Sequence, residues 1–583
     1  MKSINKLRIS AIAIAVGAAL SSTVWADQQD DIQQLKQQVE ELNQKLQVLE
    51  QQQEINKENT AKAAEEADKA AKAAPVSNGV KIKVGGYIDA TSIYRDKNEV
   101  SDITSTWIPK AFTTTAGAGI PFANTPQAQT PEYRETARAS RLSLLATGNP
   151  DDKTTLTAYI ETDFQGAAQT ANSQQSNAYT PRLRQAYTTW DQSDLGLHFL
   201  AGQSWSLATA FKDGLIPRDE NIPITLDSGY VPGFNETRNP QLRLVKDFNH
   251  TYWLGLSLES PQALVGGTAP SYLANAAANG NNNPAAGTTF TAVPTISTVF
   301  SETGGSGFNS VNAYSTDSRP DVILKGAADP GWGHYELYGL YRWFTDYTNS
   351  PASGVLATAN TGAGSTSTTN GEGIGGSVLL PVVPKILDLQ GSFLTGNGIG
   401  RYGQAQLPDV TYNLDGTLAT IHETDFLLGA ILHPTSDVDI FGYFGKELAN
   451  QQAFESTGLN NPIIYANSHG VPATPGGSLV PVTYLPSDVT TFSGYGLPQL
   501  DTYGCNVNAA HAVGTAANCA AVTAATQQWT LGGWWRFYHG TYGTVQWGAS
   551  FSHTSVSTFA GVGGAPTPDI NVYLLSFRYY PYQ

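Results

Sequence analysis

The sequence of 583 residues predicts an all-β fold, a 16-stranded antiparallel transmembrane β-barrel that follows an N-terminal periplasmic coiled-coil helix. The first observation is a set of sixteen runs after Pro75 in which apolar and polar residues alternate, typical of strands with one face toward lipid and one toward water. The second is that tight turns and long connections alternate strictly between the runs, as in bacterial outer-membrane barrels. The third is that no apolar run of about 18 residues or more follows the first 26 residues, which argues against membrane-spanning helices.

The runs are 8 to 15 residues long, and short and long connections alternate between them. They are predicted at residues 80–94, 136–147, 155–166, 181–191, 195–205, 240–248, 252–259, 319–327, 333–345, 372–381, 385–395, 422–433, 437–446, 528–539, 541–554 and 569–580. The tight turns are predicted at 149–152, 191–194, 249–250, 329–331, 382–384, 433–436 and 539–540. A strand and its connection then average about 31 residues, which fits a large bacterial barrel.

Charged side chains are confined to one face of these runs. On the run at 181–191, Arg182 and Arg184 share the inward face, whereas Leu183 and Tyr187 are predicted to face lipid. The charged residues predicted to line the interior are Arg141, Glu161, Asp163, Arg182, Arg184, Arg243, Glu336 and Arg342. Sixteen strands leave room for an aqueous channel, so the sequence predicts a wet lumen. The arginines at 141, 182, 184 and 243 are predicted to form a basic wall, which the carboxylates at 161, 163 and 336 oppose.

Aromatic residues cluster near the predicted strand ends. They are Trp190, Trp205, Trp343, Trp529, Trp534, Trp535, Tyr579 and Tyr580. A girdle at the membrane interfaces is the favoured interpretation, and a stacking track for sugars is the alternative.

Residues 1–26 have the pattern of a secretory signal. Lys2, Lys6 and Arg8 precede an apolar segment, and a cleavage pattern of small residues ends at Ala26. The alternative is a membrane anchor, but the apolar segment is too short to span a bilayer. Removing the three basic residues lowers the formal net charge from −16 to −19, and this acidity argues against a nucleic-acid partner.

Residues 27–55 carry three heptads, which predict a coiled coil. The a positions are Ile32, Val39 and Leu46, and the d positions are Leu35, Leu42 and Leu49. A linker at 56–79, helical or flexible, leads into the barrel domain at 80–583. The heptad residues favour two strands, whereas barrels of this size more often form trimers. We favour a homotrimer because the barrel walls should dominate assembly, with a solitary amphipathic helix as the alternative.

The two cysteines, Cys505 and Cys519, both fall in the longest predicted loop. An exported protein meets an oxidising compartment, so a disulfide between them is expected. A metal or redox role needs more ligands, and His511 is the one histidine nearby in sequence. The sequence therefore predicts no metal site and no cofactor.

Several stretches resemble the DcaP-like trimeric porins of the general bacterial porin superfamily. They are SRLSL at 140–144, YIETDF at 159–164, RLRQAY at 182–187, AGQSWS at 201–206, GNGIGRY at 396–402 and RYYP at 578–581. The N-terminal coiled coil is also shared with that family, and the similarity is strongest over 136–206. The long loops at 260–318 and 450–527 depart from the family pattern.

This resemblance implies that the third long loop, at about 206–239, folds into the barrel and narrows it. The charged residues that it would bring to the constriction include Arg218, Asp219, Glu220 and Asp227. Opposed arginines and carboxylates at a constriction would create a transverse field that selects solutes by charge. The alternative is that these charges are solvated on a surface loop.

Three classes of function remain, with a passive diffusion channel for small hydrophilic solutes as the leading hypothesis. The arginines of the predicted wall favour anions, whereas the acidic loops argue against them, so the sequence leaves the charge preference open. An outer-membrane enzyme needs a nucleophile with a positioned base, and the sequence has neither a Gly-x-Ser-x-Gly elbow nor a His-Glu-x-x-His helix. We therefore predict no catalytic residue. A structural or adhesive barrel without an open pore is the remaining alternative.

Overall fold

The computed structural model describes the barrel domain with several gaps. The described residues are 76–77, 79–97, 130–166, 180–274, 289–290, 301–303, 313–349, 364–457, 469–472, 479–482, 489–500, 502, 505 and 520–582. The predicted signal segment, the predicted coiled coil and Cys519 lie outside the described residues. In the described part of the chain, no helix has the length and apolarity needed to cross a bilayer.

Sixteen long strands form one antiparallel sheet. They are β1 (Val80–Arg95), β2 (Arg141–Gly148), β3 (Thr154–Gly166), β4 (Thr180–Gln192), β5 (Leu197–Trp205), β6 (Arg238–Phe248), β7 (Tyr252–Glu259), β8 (Asp321–Ala328), β9 (His334–Asn349), β10 (Gly364–Val383), β11 (Leu387–Asn397), β12 (His422–Thr435), β13 (Val438–Ala449), β14 (Thr523–Gly540), β15 (Gly543–Thr558) and β16 (Asp569–Tyr580). Two short strands, Val76–Ser77 and Glu132–Thr136, extend the sheet along β1.

The sheet closes into a barrel because β1 pairs with both β2 and β16. Tyr87 lies opposite Arg141 of β2, and the next residue, Ile88, lies opposite Tyr579 of β16. The other strands pair with their neighbours in sequence. The predicted 16-stranded antiparallel barrel is therefore confirmed, and closure leaves no long unpaired edge within the membrane-spanning wall.

Tight turns join every second pair of strands, as predicted. They occupy 149–153, 193–196, 249–251, 329–333, 384–386, 436–437 and 541–542, and we call their side of the barrel the turn end. The long connections leave from the opposite side, the loop end. Within one of them, Cys505 is buried and disulfide-bonded, but its predicted partner Cys519 is not described, so the pairing stays a prediction.

The outward face of the wall is apolar and the inward face is polar. On β7, Leu254, Leu256 and Leu258 are 40–49% exposed, whereas Ser257 and Glu259 are fully buried inside the barrel. The outward leucines of β6 and β8 lie beside those of β7, so they form a continuous apolar band. This arrangement matches the predicted separation of lipid-facing and interior side chains.

The prediction that Tyr187 faces lipid is wrong, because β4 contains a β-bulge. In the pairing of β3 with β4, Glu161 lies opposite Gln185 while Thr162 lies opposite Leu183, so Arg184 is the extra residue. The bulge reverses the alternation, and Tyr187 turns inward, where it is 5% exposed and packs against the ring of Tyr159.

Five strand boundaries differ from the prediction by more than three residues, namely those predicted at 136, 345, 372, 528 and 554. β2 begins at Arg141 rather than 136, because the chain leaves the sheet at 137–140 after the short strand Glu132–Thr136. β10 begins at Gly364 rather than 372, since its first eight residues pair with the end of β9. That extension has the composition Gly, Ser, Thr and Asn, so it has no hydrophobic alternation to detect.

The predicted aromatic girdle is only partly outward. Trp190, Trp529 and Trp535 are 40–55% exposed on the outer face. Trp205 and Trp534, however, are buried inside the barrel, where they pack against a loop described below. An aromatic residue near a strand end is ambiguous because the inward face of this barrel also contains apolar side chains.

Candidate functional site

The connection between β5 and β6, residues 206–237, folds into the barrel, and we call it the inner loop. One of its halves buries Leu226, Tyr230, Val231 and Phe234 against inward side chains of β1 and β12–β16. The ring of Trp205 at the end of β5 packs against Phe234 and against Tyr230, with centroid distances of 6.0 and 6.3 Å. This packing agrees with the constricting loop that the family resemblance implied.

The other half of the inner loop packs against the opposite wall. Leu207, Phe211 and Leu215 are fully buried against inward side chains of β6–β9 and β11, which include Ile323 and Leu394. Because both halves hold apolar clusters, the interior is less open than the wet lumen that the sequence predicted. The reason is that apolar residues at inward positions, such as Ile323, appear in the sequence as breaks in the polar face.

Inward carboxylates hold the backbone of the inner loop to the wall. Glu259 accepts a hydrogen bond from the backbone N–H of Leu207 at 2.8 Å, and Glu447 accepts one from Gly233 at 2.7 Å. Gly233 has a φ of +83°, and a Cβ added there would lie 2.1 Å from the wall carbonyl of Phe426. The loop therefore approaches the wall too closely for any residue but glycine at this position.

The structure places the predicted arginines and carboxylates side by side, not on opposing walls. Arg184 lies 2.7 Å from Glu161 and 2.9 Å from Asp163, and Arg182 lies 2.7 Å from Asp163. The cross-strand register explains the arrangement, since it sets Asp163 between Arg141 of β2 and Arg182 of β4. The prediction that the carboxylates at 161 and 163 oppose a separate basic wall is therefore wrong, because both pair with arginines of the neighbouring strand.

Three more of the predicted interior residues are almost fully buried. Arg243 is 1% exposed under Phe211 and donates to the backbone carbonyl of Trp205. Arg342, also 1% exposed, pairs with Asp321 at 3.1 Å and with Asp409. Glu336 is buried and pairs with Lys325 at 2.9 Å, so these residues fix loops to the wall rather than face open space.

A second loop folds inward from the loop end, between β11 and β12, and we call residues 398–421 the Arg401 loop. Arg401 donates to the carbonyls of Ser260 and Gln262 at 3.1 and 3.2 Å, and its backbone N–H donates to Asp409. Sequence reasoning noted the stretch at 396–402 as a family motif but did not predict this loop. An arginine and a tyrosine directly after a glycine-rich stretch were the available signal.

Beneath the Arg401 loop, three inward carboxylates lie close together. Asp425 lies directly opposite Glu447 in the register, and Glu423 is two residues away on the same face of β12. Both oxygens of Glu423 and both oxygens of Asp425 are buried without a hydrogen-bond partner in the structure. No group of His, Cys, Asp and Glu side chains in the described residues has the geometry to hold a metal ion.

The open space that we assign as the candidate site is a cavity of about 510 Å³ toward the turn end. It lies between the inner loop at 222–230 and the wall formed by β1, β2 and β13–β16. Its charged lining residues are Arg141, Lys212, Asp227, Asp439, Arg536 and Arg578. Tyr87, Trp534 and Tyr580 add aromatic surface to the same lining.

Ion pairs engage part of this charged lining, since Arg536 pairs with Asp439 and Arg578 pairs with Asp89 at 2.7 Å. Asp439 is already bound to Arg536 and to His433, and Asp227 accepts the backbone N–H of Gly229 at 2.8 Å. Arg141 donates only a 3.2 Å bond to the hydroxyl of Tyr230 among the hydrogen bonds that the structure shows for its side chain. The cavity therefore presents excess positive charge to its contents.

The four residues predicted to form the constriction fall into two groups. Arg218 and Asp219 are exposed at the tip of the inner loop, as a constriction would require. Glu220 and Asp227 are buried against the wall and the loop backbone instead. Burial raises the pKa of Glu220 to about 7.

Comparison with known proteins supports the barrel fold. No protein-family model matches the sequence, and no curated protein matches it. The chain is similar to the crystal structure of the outer membrane channel DcaP of Acinetobacter baumannii, with a TM-score of 0.51 and 13% identity over 87% of this chain and 99% of that chain. An anion-selective porin from Comamonas acidovorans aligns with a TM-score of 0.39 and 9% identity over 86% of this chain and 99% of that chain. OmpF of Salmonella typhi aligns with a TM-score of 0.39 and 8% identity over 87% of this chain and 99% of that chain. The DcaP similarity confirms the resemblance at the level of the fold, and the two weaker similarities add nothing to it.

Proposed function

We propose that this protein is a passive diffusion channel for small hydrophilic solutes in the bacterial outer membrane. One observation carries the proposal, namely a cavity with charged side chains in its lining inside a closed barrel whose exterior is apolar. The exterior band suits a hydrocarbon surrounding, and closure satisfies the backbone of the wall without water. Polar solutes would cross through the interior, which the inner loop narrows.

The cavity lining supports a preference for anions. Four cationic side chains line the space against two carboxylates. Arg536 and Arg578 are held in ion pairs, which leaves Arg141 and Lys212 as the cations that face the contents. Positive potential in a low-dielectric channel raises the local concentration of anions and excludes cations. Of the four wall arginines predicted from the sequence, Arg141 keeps this role, whereas Arg182 pairs with Asp163 and Arg184 and Arg243 are buried.

We further propose that the chain forms a homotrimer, with the predicted coiled coil in the periplasm. The heptads at 27–55 support self-association, because an isolated apolar seam of that length needs a partner to be buried. Outer-membrane lipid and the transported solutes would be the other partners.

Single-channel recording in planar lipid bilayers tests the channel directly. Purified full-length protein should produce discrete conductance steps, and a salt gradient should give a reversal potential of the sign expected for anion selectivity. Absence of steps with correctly folded barrels would favour the structural or adhesive alternative. Hydrolytic activity without conductance would favour an enzyme, and cation selectivity would refute the anion preference alone.

A further inference from the structure

We propose that His334 is a positioning residue that fixes the narrowing segment of the inner loop through its protonated ring, so that the loop loosens from the wall as pH rises. The proposal rests on the proposed channel, because it concerns the loop that narrows it. His334 is the first residue of β9 and is 2% exposed.

The ring of His334 bridges two carboxylates. Its Nδ1 lies 2.6 Å from Oδ1 of Asp329, and its Nε2 lies 3.0 Å from Oε1 of Glu336. Ionised carboxylates can only accept hydrogen bonds, so both ring nitrogens must donate, and only the imidazolium can donate from both. The observed geometry is therefore that of a positively charged ring between two anions.

The same two carboxylates hold the backbone of the inner loop. Oε1 of Glu336 accepts the N–H of Phe211 at 3.0 Å, and Oδ2 of Asp329 accepts the N–H of Gly214 at 3.1 Å. A third tie comes from Lys325, whose Nζ donates to the carbonyl of Thr209 at 2.8 Å and to Glu336 at 2.9 Å. Three contacts, at residues 209, 211 and 214, thus depend on one charged cluster with His334 at its centre.

The charge balance explains the direction of the effect. The charged groups that face His334 are Asp329 of the turn, Glu336 of β9, Lys325 of β8 and Asp213 of the inner loop, while β10 contributes the hydroxyl of Ser377. With a protonated ring the cluster has three negative and two positive groups. Burial and the neighbouring Asp329 carboxylate raise the pKa of Asp213, which agrees with an excess of negative charge here.

Loss of the ring proton removes one of the two bridging bonds. A neutral imidazole has one N–H, so its other nitrogen would direct a lone pair at a carboxylate oxygen. The cluster would then hold one positive group against three carboxylates, including the two that anchor Phe211 and Gly214. Their mutual repulsion weakens the anchor, and segment 209–214 moves away from the wall into the channel.

The barrel contains a matched control for this arrangement. His198 of β5 likewise bridges two carboxylates, with Nδ1 2.9 Å from Asp191 and Nε2 3.3 Å from Asp247. Asp247 also binds the backbone N–H of His250, a residue of a tight turn rather than of the inner loop. Neutralising His198 therefore removes an equivalent bridge without touching the anchor of the loop.

The experiment follows the loop itself, so its result does not depend on conductance. A spin label is attached at Lys212→Cys, because Lys212 is exposed within the anchored segment. Label mobility is recorded from about pH 5 to 9, which brackets the ordinary titration of an imidazole near 6.5. The whole series contains Glu220→Gln, because burial raises the pKa of Glu220, in the same loop, to about 7.

In the reference protein and in His198→Gln, we expect the mobile fraction of the spin label to rise with pH in a single one-proton step. In His334→Gln the label should be mobile at every pH, with no step, because glutamine is neutral throughout. His334→Lys, which stays charged over this range, should keep the label immobile. A reference protein without the step, a step that survives in His334→Gln, or loss of the step in His198→Gln would overturn the proposal. A barrel that shows the step but never conducts would instead refute the proposed channel.

Discussion

The apolar belt on the outer wall predicts a position-dependent cost for a charge placed there. Leu256 on β7 lies opposite Leu244 and Leu324 of the flanking strands, and all three are 43–53% exposed on the outside. It is four residues from Tyr252, where β7 begins at the turn end. That separation is about 13 Å along the strand and about 10 Å along the barrel axis at a tilt of about 40°.

A band about 25 Å tall therefore places Leu256 near its middle and Tyr252 near its edge. We expect Leu256→Arg to lower the free energy of unfolding by about 2–4 kcal/mol, and Tyr252→Arg to lower it by about 0–1 kcal/mol. The larger cost corresponds to a roughly 30- to 900-fold change in the unfolding equilibrium.

Reversible urea unfolding in phospholipid vesicles, followed by tryptophan fluorescence, measures both variants against the unmodified barrel. The informative quantity is the ratio of the losses in unfolding free energy at the two positions, since both residues are exposed and on the same strand. Equal costs at the two positions, or no cost at Leu256, would show that this face does not lie in the hydrocarbon. Repeating the series in detergent should reduce the difference, because micelles adapt their thickness to the protein.

Three further predictions concern the interior. Burial raises the pKa of Glu220 from 4.5 to about 7, so ionisation of this carboxyl opposes folding as pH rises. Glu220→Gln should therefore stabilise the protein above pH 7 and leave its stability unchanged below about pH 4. Urea unfolding should show a gain in unfolding free energy of about 3 kcal/mol at the higher pH and none at the lower. Phe211→Ala should weaken the attachment of the inner loop by about 3–5 kcal/mol, because the ring of Phe211 is fully buried. Limited proteolysis of this variant should cleave the inner loop and leave the barrel intact, and an uncleaved loop would contradict the packing described. The double variant Arg141→Gln, Arg536→Gln should shift the reversal potential in a salt gradient in the direction of cation selectivity. An unchanged reversal potential would show that the cavity does not determine ion selectivity.

The membrane-facing half of this structure could be predicted from the sequence with good accuracy. Strands such as β7 and β16 have the predicted boundaries, because each residue on the outer face must be apolar and each turn must be short. The charged residues of β3 and β9 also face inward, as their alternation indicated. Lipid imposes this pattern strand by strand, so no tertiary information is needed to detect it.

The interior could not be predicted in the same way, because its pattern depends on contacts between distant segments. The bulge at Arg184 reverses the direction of Tyr187 without changing the composition of β4. Leu394 and Phe441 are apolar at inward positions because loops pack on them, which no local pattern reveals. The sequence placed Arg243 and Arg342 inside the barrel correctly but did not show that loops would cover them.

The central claim is that solutes pass through the interior beside the inner loop. The most direct measurement is the single-channel current of Lys212→Cys before and after a bulky, negatively charged thiol reagent is added, with the unmodified protein as control. Lys212 lines the cavity, so we predict that modification lowers the current in discrete steps and reduces anion selectivity. A labelled channel whose current and selectivity stay the same would contradict the claim, since ions would then be crossing by another route.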